Sequence, residues 1–256
     1  MGMRPNPALG HVRIGTSGWH YPHWRGSFYP AGLRPDQMLR WYAEHFDTVE
    51  INNSFYRLPS TEALQSWCDQ TSSDFHFAMK ASRYITHNRK LMQPAESTKR
   101  FMLQARELGH RLGPILFQLP PAWHVNTERL EEFLSALPSG RRYACEFRNP
   151  TWNVAEVYDI LRRHNVAYCI FELGGFHSPI EITADFTYVR LHGPDGPYRG
   201  DYPRKSLQAW AKRVESWQHE LKQIFVYFDN DQSGYAPKNA LELKDLLDLA
   251  STRLAV

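Results

Sequence analysis

Eight short runs rich in β-branched, aromatic and other apolar residues punctuate the chain, at 12–16, 48–52, 75–80, 115–119, 142–148, 166–171, 187–192 and 224–229. They recur roughly 20–40 residues apart, with helical patterns between most of them, and this alternation predicts a parallel sheet covered by helices. Pro35 precedes a helical stripe over 36–45 that places Leu39, Tyr42, Ala43 and Phe46 on one face. Ser60 and Thr61 offer a cap for a helix over 62–70, and Asn126 for one over 127–137. Asn153 with Glu156 resembles a capping box before 154–164. Further helices are predicted over 95–111, 204–222 and 238–250. The link 172–185 breaks the pattern: it holds Gly174, Gly175 and Pro179 and no helical stripe, so it predicts a loop or short turn.

Eight strand–helix steps in 256 residues match a single (β/α)8 TIM barrel, an α/β fold that typically takes about 250 residues. The expectation is a flexible tail over 1–11 and one somewhat irregular barrel over 12–256, its helix between strands six and seven missing or short. An open doubly wound sheet is the runner-up. It needs a ligand-binding glycine turn after an early strand, and Gly15-Thr16-Ser17-Gly18, followed by Trp19 and His20, supplies only a fragment of one.

Parity along the strands then picks out candidate chemistry. Barrel interiors are packed mainly with apolar side chains, and barrel active sites sit at the C-terminal strand ends. Period two puts Glu50 with Asn52, His76 with Lys80, Glu146 with Arg148, and Tyr188 with Arg190 and His192 on shared faces. Gln118 stands near the end of strand four. Strand eight ends Tyr227-Phe228-Asp229-Asn230, where alternation does not decide which polar residue turns inward. Glu50, Glu146 and Asp229 would balance Lys80, Arg148 and Arg190, as burial requires. Glu50, Lys80, Glu146 and His192 are the candidate catalytic residues: carboxylates and an imidazole for acid–base work, and an amine that nearby cations would activate. A structural salt-bridge network is the competing account of the same residues.

Several runs together resemble the YecE-like domain of unknown function, family seventy-two. They are Ile14 to Trp19, Val49 to Asn52 with Ser54 to Pro59, Lys80 to His87, Leu116 to Pro121, Glu146 to Arg148 followed by Trp152, Val189 to Gly193, and Tyr227 to Asp231 with Gly234 to Pro237. The resemblance spans nearly the whole chain. It implies an irregular (β/α)8 barrel with a groove at its C-terminal face, and it carries no established reaction or catalytic assignment. Because Asn stands at the position of Asp229 in many members, it favours Asn230 over Asp229 as a site residue.

Ser17, Trp19, Asn52, Tyr56, His87, Gln118, Arg148, Trp152, Arg190, Tyr198 and Asn230 are the candidate substrate-binding residues. Aromatics interleaved with arginines suit stacked, anionic or sugar-like ligands. Glycines 193, 196 and 200 lie in the loop after strand seven, a frequent phosphate site in barrels.

The formal charge of +3 permits an anionic ligand but no Lys/Arg run demands nucleic acid. The expected partner is a small anionic or phosphorylated ligand, with nucleic acid second. No metal and no cofactor is expected. Divalent-metal chemistry at Glu50, Glu146, His192 and Asp229, and glycoside hydrolysis by Glu50 and Glu146, are the alternatives. Cys68, Cys145 and Cys169 have no ligand spacing and read as small core hydrophobes. Neither a signal peptide nor a run of about 18 apolar residues is evident, so the expected setting is the cytoplasm, away from membranes.

Overall fold

The structure is a computed structural model that describes residues 9–254. Its strands are β1 (His11–Thr16), β2 (Thr48–Ile51), β3 (His76–Lys80), β4 (Leu112–Leu119), β5 (Tyr143–Phe147), β6 (Ala167–Leu173), β7 (Phe176–His177), β8 (Phe186–Leu191) and β9 (Gln223–Phe228). All except β7 pair in parallel, in the order β1-β9-β8-β6-β5-β4-β3-β2. The helices are α1 (Met38–Ala43), α2 (Thr61–Asp69), α3 (Pro94–Ala105), α4 (Thr127–Ser135), α5 (Ala155–Arg163), α6 (Arg204–Gln218) and α7 (Tyr235–Leu254). This is a nearly closed eight-stranded barrel with helices between its strands.

The β1–β2 edges close the barrel through a side chain. Gly15 approaches β2 so closely that a Cβ there would lie 2.2 Å from the Thr48 carbonyl oxygen. The Tyr42 hydroxyl, carried by α1, fills the seam. It accepts from the Thr16 amide at 2.9 Å and donates to the Thr48 carbonyl at 3.0 Å. Backbone pairing resumes just above, where Ser17 bridges Glu50 and the Gly18 amide donates to the Glu50 carbonyl at 2.8 Å.

Side-chain parity sorts the core into two layers. Ala78, Leu116, Ala144, Ala167, Cys169, Phe186, Tyr188, Phe225 and Tyr227 fill the barrel interior. The alternate positions, among them Val49, Phe77, Met79, Phe117, Cys145 and Val226, pack outward against the helices. Four inward rows end in a charged residue at the C-terminal mouth, because Lys80 follows Ala78, Glu146 follows Ala144, Arg190 follows Tyr188 and Asp229 follows Tyr227 at period two, whereas the β6 row ends in Phe171. All three cysteines are free, and Cys145 and Cys169 are buried.

Several local expectations are revised. The first strand starts at His11, and the Gly10 amide already donates to Gln218, so of the anticipated tail only residues 1–8 lie outside the described residues. Ser60 and Asn126 cap their helices as anticipated. Asn153 does not cap α5: its side chain accepts from the Tyr168 hydroxyl at 2.9 Å, and Val154 stands at the cap without a side-chain bond. The 95–111 stretch is two pieces, because Gly109 adopts a φ of 55° inside the tight turn that follows α3. Between β6 and β8 no helix forms; β7 folds back antiparallel on β6, pairing His177 with Glu172. No helix among the described residues is long and apolar enough to cross a membrane.

Candidate active site at the barrel mouth

Arg190 is the hub of the mouth. It projects inward from the end of β8 and is 1% exposed. One guanidinium nitrogen donates to Glu50 at 2.7 Å and to Asp229 at 2.8 Å; the other donates to Glu146 at 2.9 Å. Three carboxylates from β2, β5 and the end of β9 therefore converge on one cation. Each has a second partner. Glu50 accepts from Ser17 and from the Tyr188 hydroxyl, both at 2.6 Å. Glu146 accepts from the Arg148 Nε. Asp229 lies 2.9 Å from His192 Nδ1.

Burial alone would push the carboxyls of Glu146 and Asp229 up. For Glu146 the guanidinium of Arg148, and then that of Arg190, reverses the effect and holds the group well below the usual carboxylate range. Asp229 is likewise lowered, chiefly by Arg190. Both are ionised at neutral pH. Glycoside hydrolysis needs one carboxyl kept protonated as the general acid. Glu146 is held ionised, and both oxygens of Glu50 are already occupied by donors, so this arrangement does not fit that chemistry. Nor does it suit a divalent cation, which would face two guanidinium groups. Among the described residues no cluster of three His, Cys, Asp or Glu is arranged to hold a metal ion.

His192 takes its state from the arginines. Its Nε2 lies 2.9 Å from an Arg148 nitrogen and 3.2 Å from an Arg190 nitrogen. Guanidinium nitrogens only donate, so Nε2 must accept. The proton then sits on Nδ1, facing Asp229 but out of line for a hydrogen bond. Burial first, and Arg190 next, lower the imidazole pKa, with Asp229 opposing. His192 is thus a neutral acceptor at Nε2, whereas the sequence reading makes it an acid–base group that titrates near neutrality.

Lys80 differs from the other cations. Its side chain ends at the mouth, 8% exposed, and its amine lies 4.6 Å from the centroid of the Phe55 ring. The Lys80 carbonyl accepts from the Ser54 hydroxyl at 2.6 Å, but the amine has no hydrogen-bond or ion-pair partner among the described residues. Desolvation, and then the charge of Arg190, lower its pKa against the opposing pull of the carboxylates. Arg148 lies above the hub with its guanidinium 4.7 Å from the Phe171 ring, and its side chain is 11% exposed. Tyr198, 45% exposed with a φ of 65°, packs edge-on against His192 at 5.5 Å. Gln118 is half-buried opposite Glu146 in the β4–β5 register.

The mouth therefore gathers Ser17, Glu50, Lys80, Gln118, Glu146, Arg148, Arg190, His192 and Tyr198. It does not gather the rest. Trp152 is fully buried behind the sheet, stacked on Phe147 at 4.9 Å. Trp19 and Asn52 line a flanking cavity of about 590 Å³ beside Trp67. Tyr56 is 79% exposed on a separate groove of about 1040 Å³ edged by Arg57, Tyr84 and Arg100. His87 belongs to the π-helical turn Tyr84–Asn88 after β3 and packs edge-on against Phe55 at 5.0 Å.

The choice between Asp229 and Asn230 is reversed. Asp229 joins the hub. Asn230 turns into the wall, where its amide donates to the Gly200 carbonyl at 2.8 Å and to Asn239 at 2.9 Å, fixing the loop after β8 to α7. Tyr188, Phe55 and Phe171 were not singled out as site residues. Tyr188 was legible, because it shares the inward face of Arg190; the two phenylalanines reach the site through loop and strand-end geometry that no local pattern encodes.

Comparison with known proteins agrees with this architecture. Over residues 13–255 the chain matches the family described as "Protein of unknown function DUF72". It is 31% identical to the UPF0759 protein YecE of Escherichia coli (strain K12), over 89% of each chain. It is 26% identical to the UPF0759 protein YunF of Bacillus subtilis (strain 168), over 95% of this chain and 97% of that one. A crystal structure of a DUF72 family protein from Thermotoga maritima superposes with a TM-score of 0.84 at 29% identity, covering 93% of this chain and 99% of that one. The chain belongs to the DUF72 family.

Proposed function

We propose that the barrel mouth is an enzyme active site for a small anionic substrate, with Arg148 and Lys80 meeting the anion and Lys80 as the reacting group. One observation carries this reading: the amine of Lys80 stands without a counter-ion at the rim, while the three carboxylates below it are turned onto Arg190, Arg148 and His192. A ligand entering from solvent meets two cations first and the carboxylates behind them. Glu50, Glu146, Asp229 and Arg190 act as a fixed electrostatic floor, which costs no reorganisation when charge shifts above it. His192, held neutral, sets the position of Arg148. A lysine with a lowered pKa can take a proton from carbon or attack an electrophile near neutral pH.

The test is thermal denaturation with inorganic phosphate, phosphorylated sugars, neutral sugars and short oligonucleotides, for wild type and Arg148→Ala. A ligand at 100 times its Kd stabilises the folded state by about 2.7 kcal/mol. Stabilisation by the phosphorylated compounds and not by neutral sugars, lost in Arg148→Ala, is the expected result. Stabilisation by neutral sugars alone, or an undiminished response in the variant, refutes the assignment. A response confined to oligonucleotides moves the ligand class to nucleic acid.

A further inference from the structure

Lys80 combines features that rarely meet in one amine. The residue is 8% exposed, its amine lies 4.6 Å from the Phe55 ring centroid, and that amine has no hydrogen-bond or ion-pair partner among the described residues. The surroundings explain why it stays unpaired. Glu50 is saturated by Ser17, Tyr188 and Arg190; Glu146 by Arg148 and Arg190; Asp229 by Arg190 with His192 alongside. Arg190 and Arg148 offset two of the three carboxylate charges and occupy the oxygens, so none of the carboxylates reaches the amine as an ion-pair partner, and their remaining pull is opposed by desolvation and by Arg190. The Phe55 ring face attracts an ammonium, but the enclosure that brings the ring there also strips water from the amine, and that desolvation is the largest influence on it. A lysine that must carry a free lone pair gains directly, because desolvation disfavours the charged form.

We propose that Lys80 condenses with the carbonyl group of an anionic aldehyde or ketone, such as a 2-oxo acid or a phosphorylated sugar, to form an imine, with Arg148 holding the substrate's anionic group. This rests on the proposed function above and names its substrate class. The step balances within the site. The Nζ lone pair forms the C–N bond, and the carbonyl π bond gives an oxygen that takes one proton from Nζ. That hydroxyl leaves with the second Nζ proton as water, so amine and carbonyl give imine and water with no change of oxidation state. Protonation of the imine nitrogen then makes it an electron sink for breaking a bond at the neighbouring carbon.

Reductive trapping tests this on the wild-type protein, so no variant need fold for the outcome to be decisive. The protein is incubated with glyoxylate, an anionic aldehyde, or with acetaldehyde, a neutral one, plus cyanoborohydride, and modified lysines are located by peptide mass spectrometry. A lowered pKa leaves more free amine at neutral pH, so Lys80 is expected to be alkylated by glyoxylate faster than the surface lysines, and inorganic phosphate should slow it. Labelling of Lys80 no faster than surface lysines overturns the imine, even if phosphate stabilises the protein through Arg148 and the anion reading survives. Fast labelling of Lys80 by acetaldehyde and glyoxylate alike, unaffected by phosphate, supports the imine while removing the anion assignment.

Discussion

Replacing Arg190 by methionine separates a scaffold role from a ligand-binding one. Methionine keeps much of the length and removes the charge, leaving Glu50, Glu146 and Asp229 buried around a thioether. Removing one partner of a buried ion pair costs about 3–5 kcal/mol, because the other charge stays desolvated and uncompensated. Here three carboxylates share one guanidinium, and only Glu146 keeps a second arginine, so the upper end of that range applies. Against a total stability of about 5–15 kcal/mol the loss is severe. For a chain of this size each kcal/mol moves Tm by about 2–4 °C, so the variant should melt about 10–20 °C lower.

The pH dependence adds a signature that simple cavity formation lacks. In wild type the folded pKa values of Glu146 and Asp229 lie below their unfolded values of about 4.3 and 3.9. The stability they contribute is present above those unfolded values and is lost as pH falls through the depressed folded ones. In the variant the cation is gone and burial raises the same carboxyls, so protonation relieves them. The gap between wild type and variant should therefore be widest near pH 7 and should narrow as pH falls below about 5. Urea denaturation at several pH values measures it. A gap under about 1 kcal/mol, or one that stays constant with pH, refutes the hub as an ion-paired scaffold.

Nitrogen NMR of His192 should report the Nδ1-protonated neutral tautomer, with no titration in the range of a free imidazole, because both arginines donate to Nε2; a midpoint near 6.5 contradicts this. Tyr42→Phe should cost about 1–3 kcal/mol in urea denaturation, since it leaves the Thr16 amide and Thr48 carbonyl unpaired in the seam, and an unchanged midpoint would show that β1 and β2 close without the hydroxyl. Asn230→Ala should raise the rate of limited proteolysis within 193–202, where its amide holds the Gly200 carbonyl, and equal cleavage rates would count against that anchoring role.

The strand parity that exposes Glu50, Lys80, Glu146, Arg148 and Arg190 was legible because polar residues interrupt otherwise apolar strands at a fixed period. It failed at the end of β9 for a physical reason: Ile224 to Phe228 are all apolar, since one face packs inside the barrel and the other under helices, so no polarity marks the register. Individual roles were less legible than positions. Arg190 looked like an anion ligand because nothing local reveals that three distant carboxylates already occupy it. Trp152 and Trp19 looked like ligand platforms because a tryptophan in a strand–helix loop reads the same whether it faces solvent or folds back on Phe147 or Trp67. Asn153 was misplaced as a cap because Tyr168 of the next strand competes for its side chain.

The tyrosine clasp between β1 and β2 bears on how the molecule opens. β1 is held to β9 by six register pairs, but to β2 below the mouth by a hydroxyl that a helix delivers. A backbone ladder is lost one rung at a time, whereas a clasp carried on α1 lets go when that helix shifts. A weak line in the wall therefore runs directly beneath Ser17 and Glu50, the pair that bridges the two strands at the rim. Opening there would spread the floor of the site before it disturbed the rest of the barrel. The amides of Thr16 and Gly18, which face the seam, should accordingly exchange with solvent ahead of those in β4 and β5, making the fold's line of closure also the hinge on which its charged centre comes apart.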